Sequence, residues 1–278
     1  MTNRLFFLQL GAERVSKALS LRGGPDTLYW EPFTAAVVET DIGWVLLDTG
    51  MSRSAFDSPQ IAAAYEAEGL ARGGVAPLVA PPASAREWAW ILDGDPLESG
   101  LAAVGLSTSD IALAAVSHLH VDHSGGIPTL ARLGVPVVIQ RAELAFVRSG
   151  VVGPAQGFYP PDWQQPATQW RELDGDAELA PGVRAISTPG HTPGHMSFLI
   201  DLELSGQWVL AVDAADLAQN FLDGVPCGSA AGGTAADLRQ ADESFDRLIE
   251  FARGGARMIP GHDQLVLNAV IHPTGGHQ

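Results

Sequence analysis

The sequence predicts an α/β protein organised as one large domain over residues 1–278, and three observations support that expectation. The chain has 278 residues, an ordinary length for a single large α/β domain. Apolar residues make up 46% and charged residues 17%, which allows a large core and disfavours disorder. Apolar runs of strand length recur along the chain, separated by turn residues and amphipathic stretches.

Leu5 to Leu10, Ala35 to Glu39 and Trp44 to Leu47 read as strands, with Asp41-Ile42-Gly43 as the hairpin turn between the last two. Residues 52–108 are rich in Ala, Pro and Gly, with helical patches at Pro59 to Glu68 and Ser84 to Leu92; they read as a helical insertion between two β-rich parts. Ile111 to Val116 is an unbroken apolar run of buried-strand length. A short helix is expected at Gly126 to Ala131, a strand at Val135 to Ile139 and a helix at Arg141 to Arg148. Residues 150–170 hold Phe158, Tyr159, Trp163 and Trp170 with little periodicity, a long aromatic loop that suits an active-site wall or the interface of a homodimer. Val183 to Ser187, Met196 to Leu202 and Trp208 to Val212 read as strands, and Gly228 to Thr234 as a flexible linker. Ala235 to Ala252 is the clearest amphipathic helix, followed by a short strand at Arg257 to Ile259 and a frayed tail at Pro273 to Gln278.

The formal charge is −16, and Lys17 is the only lysine. So acidic a surface repels phosphate backbones and anionic lipid headgroups, which argues against nucleic acid or a membrane as partner. Leu5 to Leu10 is shorter than a signal-peptide core, and no stretch of about 18 apolar residues occurs, so a cytoplasmic location is expected. Cys227 is the single cysteine, so no intrachain disulfide can form, and nothing near it suggests an activated thiol.

Six of the eight histidines fall in three short motifs: His118-Leu119-His120-Val121-Asp122-His123, Thr188-Pro189-Gly190-His191-Thr192-Pro193-Gly194-His195, and Gly261-His262-Asp263. Each lies near a predicted strand end, where side chains are held rigidly yet remain open to a cleft. A lone histidine is usually a satisfied core or surface residue. Five histidines with Asp122 and Asp213 in this order instead predict a two-metal site, and imidazoles with carboxylates favour zinc. His118 and His120 need one more nitrogen ligand, as do Asp122 and His123; His195 and His262 are expected to supply them, with Asp213 bridging. His191 reads as a loop-stabilising residue, and His272 and His277 as uninvolved.

With these motifs the chain resembles the metallo-β-lactamase superfamily, from Leu46-Leu47-Asp48-Thr49-Gly50 to Gly261-His262. The resemblance implies an αβ/βα four-layer sandwich with the metals at the edge between the sheets. By position it makes His118, His120 and His195 ligands of a first metal and Asp122, His123 and His262 ligands of a second, bridged by Asp213. Asp48 would orient a ligand histidine. Within the superfamily, Leu46 to Met51, His118 to Gly126 and Thr188 to Phe198 are similar to N-acyl homoserine lactone lactonases. Those lactonases usually carry a tyrosine three residues after the bridging aspartate; here Asp216 stands there, and Tyr159 is a candidate substitute.

The expected chemistry is opening of a lactone ring by metal-activated hydroxide, with two Zn(2+) ions as cofactors. N-acyl homoserine lactone is the expected substrate, which would make the protein a quorum-quenching enzyme. One metal would polarise the carbonyl, and Asp122 or Asp213 would pass the proton to the leaving alkoxide. Phe158, Tyr159 and Asp216 are the candidate substrate contacts, with Trp30 or Trp88 as further contributors. The alternatives are hydrolysis of another lactone, an ester or a thioester, including glyoxalase II-like action, and a metal-free binding scaffold. Intact ligands argue against the scaffold, and the acidic charge argues against RNA phosphodiester cleavage.

Overall fold

The computed structural model describes residues 4–68, 74–230, 235–269 and 275–278. Among them twelve strands form two sheets. The first sheet contains β1 (Leu5–Ser16), β2 (Leu28–Thr40), β3 (Gly43–Leu47), β4 (Ala89–Ile91), β5 (Ile111–Ala115), β6 (Pro136–Gln140) and β7 (Gln169–Leu173), in the order β4-β1-β2-β3-β5-β6-β7. The second contains β8 (Ala177–Ala180), β9 (Val183–Ser187), β10 (Met196–Leu202), β11 (Gly206–Val212) and β12 (Arg257–Pro260), in the order β12-β11-β10-β9-β8.

Alternation along the strands builds the layers. Phe7, Val38, Leu47 and Leu113 of the first sheet meet Phe198, Ile200, Leu210 and Ile259 of the second in one buried cluster between the sheets. The opposite face of the first sheet, with Leu8, Leu10, Val37 and Leu46, packs on helices Arg53–Phe56, Pro59–Glu68, Pro96–Ala103, Ile127–Leu133 and Arg141–Arg148. The outer face of the second, with Leu199, Val209 and Ala211, takes Phe245 and Leu248 of helix Ala235–Arg253. Helix, sheet, sheet, helix is the expected four-layer αβ/βα sandwich.

β3, β5, β6 and β7 run parallel. β5 and β6 lie inside that sheet with both faces covered, which is why they read as continuous apolar runs rather than alternating ones. The Asp41 to Gly43 turn is as expected, with Gly43 at φ +109.

Four sequence expectations change. β1 and β2 are about twice the length read from the sequence and pair from Leu5↔Val38 to Ser16↔Leu28. Ser84 to Leu92 is not helical: Ala89–Ile91 pairs antiparallel with Gly11 to Glu13 of β1, because its consecutive large apolar residues cover the edge of a sheet. The helix of that stretch lies further on, at Pro96–Ala103, capped by the Asp95 carboxylate with Pro96 in the first turn. The end of the chain is not frayed over its described residues: His277 exchanges two backbone hydrogen bonds with Leu5, and its ring packs against Phe7 and Trp208. Of the linker at 228–234, Gly228 and Ser229 both donate to the Leu19 carbonyl, and 231–234 lie outside the described residues, as does His272.

Candidate metal centre

The three histidine motifs and Asp213 converge where the two sheets end. His118 follows β5; His120 precedes the one-turn helix Val121–Ser124 that carries Asp122 and His123; Asp213 follows β11, and His262 follows β12. β11 and β12 are parallel neighbours, so Asp213 and His262 leave the sheet side by side. Val212, just before Asp213, is held at φ +51, a strained conformation for a β-branched residue. Gly261 lies against it so closely that a Cβ there would meet the Val212 backbone at 2.7 Å.

Two groups of ligating atoms form. In the first, His120 Nδ1 lies 2.9 Å from His118 Nε2 and 2.8 Å from His191 Nε2. In the second, His123 Nε2 lies 2.9 Å from Asp122 Oδ2, and His262 Nε2 lies 3.8 Å from the same oxygen. Asp213 faces both groups. Its Oδ2 is 3.2 Å from His191 Nε2 and 3.6 Å from His118 Nε2, while its Oδ1 is 3.2 Å from His123 Nε2 and 3.1 Å from His262 Nε2. Within each group the ligating atoms lie within 4.8 Å of one another.

This places His191, not His195, with His118 and His120, and reverses the sequence expectation for the pair. His195 is held inside its loop: Nδ1 meets the Thr188 carbonyl at 3.0 Å, and Nε2 accepts the backbone N–H of Asp213 at 3.2 Å. His195 therefore fixes the backbone beside Asp213, and its ring has no lone pair left for the cluster. His191 sits at the loop tip, where Gly190 at φ +140 packs against the backbone of Ala241 and turns the next side chain inward. Two histidines four residues apart look alike in sequence; only the path of the loop separates them.

Each histidine that faces the cluster through Nε2 has its outer nitrogen engaged. His118 Nδ1 meets Ser117 Oγ at 3.0 Å, His191 Nδ1 meets Ser229 Oγ at 3.2 Å, and His262 Nδ1 donates to the Pro32 carbonyl at 3.0 Å. His123 Nδ1 lies 3.0 Å from Asp48 Oδ2, and Asp48 Oδ1 accepts from Ser117 N at 2.7 Å. Asp48 thus stands where it can orient His123 and the start of the histidine loop together.

Electrostatics divides the cluster. Burial pulls the His118 and His191 pKa values well below the usual imidazole range, and those of His120 and His195 to about 4, so these rings are neutral. His123 and His262 are equally buried, yet the carboxylates beside them, Asp213 foremost for His262 and Asp122 for His123, raise both well above the ordinary value. Asp213 is held well below the usual carboxylate range: burial opposes this, but His123, His262, His191 and His118 outweigh it.

The donor set fits two divalent cations. Unprotonated nitrogens facing one another at 2.8–2.9 Å repel unless a proton or a metal lies between them. His123 Nε2 is buried and faces only the cluster's own carboxylates, Asp122 and Asp213. Imidazole and carboxylate donors of this kind suit zinc.

A cavity of about 310 Å³ opens over the cluster and is lined by His120, Asp122, His191, Asp213 and His262 from the motifs. Asp216 lines it too. Phe158 does not: it is buried beneath His120, with ring centroids 4.3 Å apart. Tyr159 caps the one-turn helix Pro160–Trp163 and packs on the core beside it, so it does not take the place of a cavity tyrosine. Trp30 packs with Trp90 and Ala12, and Trp88 stacks on Tyr65 at 4.6 Å, so neither tryptophan reaches the cavity. Among the described residues the cavity's phenol is Tyr65, and its remaining carboxyls come from Glu13 and Glu31. No short motif marks them: they project from long strands and from a helix far away in sequence.

Glu143, likewise outside the motifs, joins two of the loops. Its carboxylate accepts from Leu119 N at 3.0 Å and from Gly194 N at 3.1 Å, tying the His118 loop to the His191 loop. Burial pushes its pKa up to about 7, against hydrogen bonds that pull it down.

Comparison with known proteins agrees with this geometry. Residues 29–262 match the metallo-beta-lactamase superfamily. The chain is 31% identical over 266 residues to an N-acyl homoserine lactonase of Bacillus thuringiensis, covering 94% of this chain and 93% of that protein. It is 33% identical over 202 residues to an N-acyl homoserine lactonase of a Bacillus species, covering 73% and 71%. Among solved structures, an N-acyl homoserine lactone hydrolase with N-hexanoyl-L-homoserine bound at its catalytic metal centre superposes with a TM-score of 0.74 at 26% identity, over 98% of this chain and 97% of that one. The layered fold, the two ligand groups about Asp213 and these matches together make the chain a member of the metallo-beta-lactamase superfamily.

Proposed function

We propose that this protein is a dinuclear zinc hydrolase that opens the ring of N-acyl homoserine lactones, and so a quorum-quenching enzyme. The single observation that carries the reading is Asp213, whose two oxygens face two separate groups of ligating side chains at the floor of a cavity. Similarity to lactonases over 94% of the chain supports the substrate class.

His118, His120 and His191 would hold one ion, Asp122, His123 and His262 the other, and Asp213 both. When bound, the two ions supply a hydroxide near neutral pH and an electrophilic pull on the lactone carbonyl oxygen. The neutral state of His118, His120 and His191 leaves their lone pairs free for this role. Asp213 turns both oxygens to histidines, whereas Asp122 turns one, Oδ2, to them. That leaves Asp122, which also lines the cavity, as the group that passes a proton to the leaving alkoxide.

A second reading, hydrolysis of another lactone, an ester or a thioester, is favoured by Asp216, which sets a carboxyl in the cavity. The deciding experiment is metal analysis of the purified protein, followed by proton release from N-acyl homoserine lactones of rising chain length, with Asp213→Ala as control. Two zinc ions per chain and turnover lost in the variant would support the proposal. A metal-replete protein that turns over thioesters but no lactone would overturn it.

A further inference from the structure

The cavity holds more carboxyl groups than the ligand cluster uses. Glu13 of β1, Glu31 of β2 and Asp216 after β11 all line it, at 8%, 3% and 5% exposure, and among the described residues no lysine or arginine lines it. Asp216 offers a carboxylate oxygen within 4.8 Å of ligating atoms of both Asp213 and His262, so this end of the cavity adjoins the cluster directly. Its Oδ1 is buried and has no hydrogen-bond partner. Glu31 is met by the Ser20 hydroxyl and Glu13 by the Tyr65 hydroxyl; both are neutral donors.

Glu143, a buried carboxyl that serves the fold, is held differently. Glu143 uses both oxygens to accept backbone N–H groups from two loops. The cationic side chain that faces these carboxyls, His262, is also a ligand of the metal cluster, and burying three carboxyls beside it is retained where a ligand supplies further positive charge. An ammonium group has three donors and a single positive charge, which suits a space walled by three carboxyls.

Resting on the hydrolase reading above, we propose that the substrate carries an ammonium group within a few bonds of the scissile carbonyl, and that Glu13, Glu31 and Asp216 bind it. The carbonyl meets the Asp213 end of the cavity, and the amine points toward β1 and β2. The substrate class is then an amino-substituted lactone or ester rather than one with a plain alkyl acyl chain.

The test uses the zinc-loaded full chain and two lactones of equal size, N-glycyl and N-propionyl homoserine lactone, which differ by an ammonium in place of a methyl. The glycyl compound is expected to have a kcat/KM higher by about 10-fold or more, the worth of one charge-assisted hydrogen bond. Glu31→Gln, and separately Glu13→Gln, should each shrink that ratio. Thermal melting checks that the variants fold, and calorimetry with the two ring-opened products gives the same comparison without turnover. Equal or reversed preference for the propionyl compound would overturn the ammonium site. So would a third metal equivalent retained by the native chain and lost in Glu31→Gln, since the carboxyls would then serve a metal. If neither lactone is hydrolysed by metal-replete protein, the lactonase reading fails, and the ammonium site stands or falls on product binding alone.

Discussion

At the scale of single residues, His191 and His195 show how little separates a ligand from a prop. Both sit in one loop, yet His191 points its Nε2 at Asp213 Oδ2, whereas His195 uses both nitrogens on Thr188 and the Asp213 backbone. His191→Ala is expected to bind close to one metal per chain and to lose more activity than the roughly 10–100-fold that loss of an outer partner brings. His195→Ala should retain two metals and instead lower the melting temperature. Metal analysis beside thermal melting separates the two; two metals retained in His191→Ala would reverse the assignment. Asp48→Asn should cost about 10–100-fold in metal affinity, because the amide turns a donor or a weaker acceptor toward His123 Nδ1. Competition with a chelator measures it.

At the scale of elements, loops are tied to one another by buried acids. Glu143 on helix Arg141–Arg148 clamps two metal loops, and a Cβ on Gly194 would meet the Glu143 backbone N at 2.2 Å. Its carboxyl is raised from an ordinary 4.5 to about 7 by burial. A raised acid favours the folded state fully below the unfolded pKa, and that contribution is lost as pH rises through the folded value. Between pH 4.5 and about 7 the chain should therefore lose up to roughly 3 kcal/mol through this group. Asp162, also raised to about 7 by burial, acts in the same direction. Urea midpoints at pH 5 and pH 7.5, with chelator present, should fall with pH in the native chain and fall less in Glu143→Gln. Between the sheets, Phe198 is completely buried, and Phe198→Ala should cost about 3–5 kcal/mol by the same measurement.

At the scale of the whole molecule, the charge of −16 and the carboxyls at the centre act together. Cations held by the candidate ligands would relieve repulsion among Asp48, Asp122, Asp213 and the acids beside them, and would bind the folded chain far better than the unfolded one. A metal present at 100 times its dissociation constant adds about 2.7 kcal/mol per site. For two sites in a chain of this size, chelation should lower the melting temperature by roughly 10–20 °C. Calorimetry with and without chelator tests this, and an unchanged transition would argue for a metal-free scaffold. No helix among the described residues is long and apolar enough to cross a membrane.

The fold class, most strand positions and six of the seven side chains facing the metal centre could be read from the sequence by itself, because each depends on local chemistry. Apolar runs of strand length mark buried strands, and closely spaced histidines and aspartates mark ligands whichever way the loop turns. What the tertiary structure decided depends on chain path. It chose His191 over His195, since only the packing of Gly190 on Ala241 and of Gly194 on Glu143 sets which imidazole points inward. It buried Phe158 in the core, packed the half-buried Tyr159 against it, and put Tyr65, Glu13 and Glu31 in the cavity instead. Those three come from strands and a helix whose own periodicity says only that they form, whereas a cavity wall is assembled from whatever side chains distant elements bring together when the sheets close.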